Sequence, residues 1–259
     1  MTQDIDTICY TKNFLKEVIF KIDFSPILKI NTEEPAAFQE KIKQPFEILE
    51  ITQIQEFETT FSADSPSGTK INSYPQYNFF NKNKTIKITL TSSSLIIQDF
   101  KYDRYSLFES FTTNVVNEFC KLYKPINVKR IGLRFLNEII FEAGNPFEWS
   151  NYIAKPLVAA IENFFEPKQE ISRSIGQTYL NKSDHTLKFT YGLHNKNSFP
   201  AQVSRKQLIL DYDCFTQTVD EGSILSFLDV FHNEIQSLFE KSITNELRTI
   251  MGVKTYAQK

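Results

Sequence analysis

Glycine is scarce in this chain, with seven in 259 residues. Phosphate-cradling loops need clustered glycines, because backbone N–H groups must reach the anion with no Cβ in the way. Neither GxxxxGK[ST] nor GxGxxG occurs, which removes the common nucleotide-binding designs. GxSxG, HExxH and paired CxxC are absent too, so no nucleophile elbow, zincin helix or zinc ribbon is encoded. The three cysteines, Cys9, Cys120 and Cys214, are odd in number and far apart. Cys120 falls on the apolar face of a predicted helix and Cys214 at a strand end, which predicts buried reduced thiols rather than disulfides. No apolar run approaches the ~20 residues that span a bilayer. The acidic opening MTQDIDTICYTKN lacks the apolar segment of a secretory signal. The expectation is a soluble cytoplasmic protein without membrane association, cofactor or resident metal.

What the chain has in quantity is phenylalanine: 24 residues, against two methionines and one tryptophan. With 41% hydrophobic and 14% aromatic residues it can bury a large, sheet-rich core. Its length fits one large domain or two small ones packed together. The net charge is −2 but unevenly spread. Residues 65–98 hold Lys70, Lys82, Lys84 and Lys87 and no acid, and residues 171–210 hold Arg173, Lys182, Lys188, Lys196, Arg205 and Lys206 against Asp184 alone. Acid-poor blocks on an acidic protein can mark a surface for an anionic partner.

The pattern divides at about residue 125. EVIFKIDF (17–24) alternates Val18, Phe20, Ile22 and Phe24 with polar positions, the signature of a half-buried strand. Glu34-Pro35-Ala36-Ala37-Phe38 opens a short helix. Strand-like runs near 51–61, 70–80, 85–91 and 94–100 are separated by SADSPSG, NKNK and TSSS, which is turn chemistry. Tyr105 to Tyr123 reads as an amphipathic helix. The second half repeats the order: a strand at 128–141, a helix from GNPFEWSNY to about Phe165, strands near 171–180, 186–194 and 202–213, then a long helix from about Ser223. A constant offset aligns Phe108, Phe111, Val115 and Phe119 with Leu228, Phe231, Ile235 and Phe239. The predicted class is α+β: an antiparallel sheet with helices packed on one face, formed by internal duplication of a strand-helix-meander-helix unit. Residues 1–125 and 126–259 are the two halves, packed as one unit.

VKRIGLRFLNEI (128–139) carries the strongest candidate site. In a strand, alternate residues share a face. Ile131, Leu133 and Phe135 then face the helices, while Arg130, Gly132, Arg134 and Glu138 face away. The same parity puts Glu17, Lys21 and Asp23, and Asp211 and Asp213 of LILDYD, on the uncovered side. One reading is a cross-strand charge ladder that sets register. The other is an anion or partner site made by Arg130, Arg134, Asp211, Asp213 and Glu138, with Gly132 leaving space between two guanidinium forks. Asp211 and Asp213 with Glu138 or Glu17 also form a minimal DxD metal pattern, a frequent accident of sequence.

Other candidates are weaker. His185, His194 and His232 lack metal-spaced partners and read as turn or helix residues. KINSYPQYNFFNKNKTIKI (70–88) interleaves Lys70, Lys82, Lys84 and Lys87 with Tyr74 and Tyr77, a candidate nucleic-acid surface, although lysines also guard edge hairpins against self-association. The last helix would be about 40 Å long at 1.5 Å per residue, with a dimer contact at ITNELRTIM.

YTKNFLKEVIFKIDF, RIGLRFLNEI, LILDYD and FHNEIQSLFEKSITNELRTIMG, in that order, resemble the landmarks of a sporadically distributed bacterial family of uncharacterised proteins. The resemblance spans nearly the whole chain, with Phe14-Leu15 where the family has a proline. It implies no catalytic residues. The patchy distribution it implies is that of accessory genes of the toxin–antitoxin or phage-defence type. The expected function is a non-enzymatic binding component that engages a protein or a small anion, as monomer or homodimer. A nucleic-acid-binding or metal-dependent nucleic-acid-processing protein is the alternative.

Overall fold

The computed structural model describes residues 8–62, 65–196, 198–217 and 219–254. In chain order the elements are β1 (Cys9–Tyr10), β2 (Leu15–Phe24), α1 (Lys29–Thr32), α2 (Ala36–Ile42), β3 (Ile48–Ser62), β4 (Ser65–Phe80), β5 (Ile86–Leu90), β6 (Ser94–Asp99) and α3 (Tyr105–Tyr123). They continue with β7 (Val128–Phe141), α4 (Lys155–Asn163), β8 (Ser174–Asn181), β9 (Thr186–Leu193), β10 (Lys206–Thr216), α5 (Ser226–Ser242), α6 (Asn245–Met251) and β11 (Val253–Lys254). Nine strands make one antiparallel sheet in the order β3-β4-β5-β6-β2-β7-β10-β9-β8, and β1 pairs with β11 separately.

In each half the first strand is followed by helix and then by a meander whose last strand returns to lie beside the first: β6 beside β2, and β10 beside β7. The halves join at the β2–β7 pair, where Phe20 faces Leu133 and Ile22 faces Ile131. The sheet therefore crosses from one half to the other without a break.

Period-two burial explains the layering. In β2, Val18, Phe20, Ile22 and Phe24 are buried and the residues between them are only partly so. In β7, Ile131, Leu133, Phe135 and Ile139 go to the same side, and in β10 Leu208, Leu210, Tyr212 and Cys214 do. Helix residues Phe38 of α2, Phe119 of α3, Ile161 of α4, Phe231 and Ile235 of α5 and Leu247 of α6 join them in one continuous core. A buried lysine also sits at the start of β10: Lys206 Nζ donates to the Glu148 carbonyl at 2.7 Å and lies over Trp149 and Tyr152, 5.4 and 5.2 Å from the ring centroids. Carbonyl and rings together replace the water that an ammonium group loses on burial. The helices leave the opposite face of the sheet uncovered.

Two predicted helices differ from the expectation. The predicted helix from GNPFEWSNY to Phe165 is α4 alone; residues 146–154 form irregular turns, in which Glu162 of α4 accepts from the backbone N–H groups of Trp149 and Ser150. The long final helix breaks at Ile243–Thr244. Ile243 bridges to Ile153, and the Thr244 side chain caps α6 by accepting from Leu247 N at 3.4 Å. Leu247 and Met251 turn into the core, so the apolar face of ITNELRTIM packs internally. Among the described residues no helix is long and apolar enough to cross a membrane.

Candidate binding recess on the open sheet face

The uncovered face carries the charges of β2, β7 and β10. Arg134 donates to Asp211 in a two-pronged contact, Nε to Oδ1 and Nη2 to Oδ2, both at 2.7 Å. Asp211 stands opposite Leu136, so this pair is a diagonal across the strands. Arg130 reaches Asp213 more loosely, at 3.4 Å. It does so by lying back over Gly132, where an added Cβ would meet Arg130 Nη1 at 3.1 Å, and it stacks on Phe215, 4.5 Å from the centroid. The space above Gly132 is thus taken by the arginine itself, not left open for an anion. Lys16 pairs with Glu138 at 3.0 Å, and Gln207 donates to Glu138 at 2.5 Å. The charge ladder is present, and Arg130, Arg134, Asp211 and Asp213 are brought together.

Burial and pairing set the protonation tendencies. The Asp211 contact raises the Arg134 pKa further, keeping it cationic. Burial pushes Asp213 above the ordinary aspartate value, and the nearby Arg130 and Arg134 only partly offset it.

Above this floor the described parts of the β9–β10 connection, residues 194–196 and 198–205, lie over the sheet. Asn195 is its hub. Its backbone takes the left-handed conformation (φ 46°), which asparagine tolerates better than most residues, and its Nδ2 donates to the Ser172 carbonyl at 2.9 Å and the Ala201 carbonyl at 2.7 Å. Arg173 Nε holds the His194 carbonyl at 2.9 Å, and Val203 N donates to Ile171. The connection and floor enclose a recess of about 500 Å³, with Glu17, Arg134, Glu138, Ile209 and Asp211 below and His194, Asn195, Lys196, Ser198 and Arg205 at the side. Ile209 is buried although it points away from the helices, and it lines this recess together with residues of the connection. A smaller hollow of about 200 Å³ adjoins it at Arg134 and Asp211 and reaches Lys188 and Asp213.

The recess has a charge asymmetry. Of its floor carboxylates, Glu138 and Asp211 are engaged by Lys16 and Arg134, while Glu17 accepts from Gln98 at 3.5 Å and makes no ion pair among the described residues. Lys196 and Arg205 are exposed and make no ion pair among the described residues. Burial, with Arg173 and Lys196 nearby, holds the His194 imidazole below the usual histidine range, so at neutral pH it is an uncharged hydrogen-bonding group. Sequence reasoning placed the floor but missed this wall. The available signal was the acid-poor block 171–210, which supplies both free cations.

The remaining candidates fare differently. Among the described residues no group of three His, Cys, Asp or Glu side chains could hold a metal ion, and Asp211 and Asp213 each face an arginine, so the DxD reading finds no site. Of the basic-aromatic stretch, Tyr77 is 4% exposed and faces the helices, which removes it from any stacking surface. Lys84 is held by Glu50 at 2.5 Å, and Lys84 and Lys87 both lie over Phe80. Tyr74 is half-buried and Lys82 exposed in the β4–β5 turn; the Lys70 side chain lies outside the described residues. His185 is buried against Asp184 at 2.7 Å, and His232 stacks on Tyr105 with centroids 3.7 Å apart beside an apolar cavity of about 70 Å³. Among the described residues no disulfide joins the three cysteines; Cys214 is buried, while Cys9 and Cys120 are only partly so.

Comparison with protein-family models and with curated proteins finds no match for this chain.

Proposed function

We propose that this chain is a non-enzymatic binding protein that takes a small anionic ligand in the recess on its open sheet face. The observation that carries the reading is the pair of cations without an ion pair among the described residues, Lys196 and Arg205, at the side of a concave site whose floor carboxylates Glu138 and Asp211 are already engaged by Lys16 and Arg134. A carboxylate or phosphate entering there would gain two new charge-assisted contacts without breaking the Arg134–Asp211 fork. Uncharged His194 and Ser198 add hydrogen-bonding groups that discriminate shape. The accessory-locus setting that the resemblance suggests is compatible with a ligand-sensing part, and a duplicated ancestral unit would account for the repeated order of elements.

The test is thermal unfolding with a panel of inorganic phosphate, small dicarboxylates and nucleoside monophosphates. A binder raises the melting temperature with concentration, as linkage requires. The charge-reversal pair K196E/R205E should abolish that rise while leaving the unliganded melting temperature nearly unchanged, since both side chains are exposed. If no anion in the panel shifts the wild-type transition, the reading is wrong. A salt-sensitive gel shift with single-stranded nucleic acid that survives K196E/R205E would instead favour the nucleic-acid alternative.

A further inference from the structure

One edge of the sheet is unguarded. Among the described residues β8 is the last strand on its side, so one flank of its eight residues presents backbone N–H and C=O groups without a strand partner there. Natural edges are normally blunted by charges, proline or a bulge. β8 reads SIGQTYLN, with no charged residue and no proline, and it pairs with β9 from Ser174–Leu193 to Asn181–Thr186 without a register shift. The opposite edge, β3, carries Glu50, Glu56 and Glu58 in its sequence.

We infer that β8 pairs antiparallel with β8 of a second copy of this chain, about a two-fold axis through Gln177. A two-fold perpendicular to the sheet keeps every residue on its own face, so only positions an even number apart can meet. Centring on Gln177 sets Ile175 opposite Tyr179 of the second copy, twice by symmetry. These are the exposed apolar residues of the open face of β8, at 38% and 52%. Aromatic and β-branched partners are favourable cross-strand pairs. Between them the two Gln177 amides meet. On the other face Leu180 falls beside Ser174, and at the ends Arg173 meets Asn181, so no like charges face each other. Centring on Thr178 instead puts Ile175 against Asn181 and Tyr179 against Gln177, which matches apolar groups with polar ones. The chosen axis makes one continuous sheet with both recesses on the same face.

Light scattering after size exclusion, from micromolar to near-millimolar protein, should give twice the chain mass. I175K/Y179K, which sets lysine against lysine at a surface site, should give the chain mass with an unchanged circular dichroism spectrum. Gln177→Cys should form an intermolecular disulfide under mild oxidation, above the wild-type background from Cys9 and Cys120, and Ile175→Cys should not. Ile54→Lys at the opposite edge should leave the mass doubled. A wild-type monomer throughout the range overturns the inference. So does a dimer that persists in I175K/Y179K, or one that cross-links through Ile175→Cys in preference to Gln177→Cys.

Discussion

Asp211 and Asp213 share a strand face two residues apart and look equivalent in LILDYD, yet their surroundings differ. Asp211 accepts two short bonds from Arg134, while Asp213 has only long contacts with Arg130, at 3.4 and 3.5 Å, and is raised in pKa by burial. Asp211→Asn should therefore cost roughly 1–3 kcal/mol, the range for a charge-assisted bond with a partner left behind, and Asp213→Asn less, by urea unfolding at neutral pH. The pH dependence separates them further. A folded-state pKa raised above the unfolded one means the folded protein holds the proton more tightly. The contribution of Asp213 is then fullest below the unfolded aspartate pKa and is lost as pH rises through its folded value. As pH falls from neutral into that window, the wild type should gain stability relative to Asp213→Asn; a constant difference across pH would refute the assignment.

At the scale of elements, what was readable followed from period. Alternation in β2, β7 and β10 predicts the buried side of each strand correctly, and the stripe of α3 predicts its bounds, because both signals are local and repeated. The same local reading fails where tertiary contacts decide. Residues 202–205 were expected in a strand but belong to the recess wall, whose course depends on Asn195 and on bonds to Ser172 and Ile171, far back in the chain. Hydrophobic period likewise runs unbroken through α5 and α6, and contacts distant in sequence interrupt it, the bridge from Ile243 to Ile153 and the bond from Thr244 to the Asn151 carbonyl. If Asn195 organises the wall, Asn195→Ala removes two side-chain hydrogen bonds and leaves a left-handed backbone without its tolerant residue. The expected loss is about 2–3 kcal/mol, together with faster amide exchange across 194–205 and weaker anion binding. Unchanged exchange there would show that the wall is held by other contacts.

For the molecule as a whole, the two halves of the sequence need not be two domains. β2 and β7 are neighbours in one sheet, and a single core runs from Phe20 and Phe119 in one half to Tyr212 and Phe231 in the other. Splitting the chain near residue 125 would expose both central strands along their full length, a far larger loss than parting two docked domains. Trp149 is the sole tryptophan, fully buried in the second half, and so reports on that half alone, whereas far-ultraviolet dichroism reports on both. The two signals should trace one urea transition with a common midpoint and slope. Separate midpoints would mean that each half keeps its own stability. The sheet face would then lose its status as one platform, because Glu17 at the floor of the recess comes from the first half and Arg134, Lys196 and Arg205 from the second.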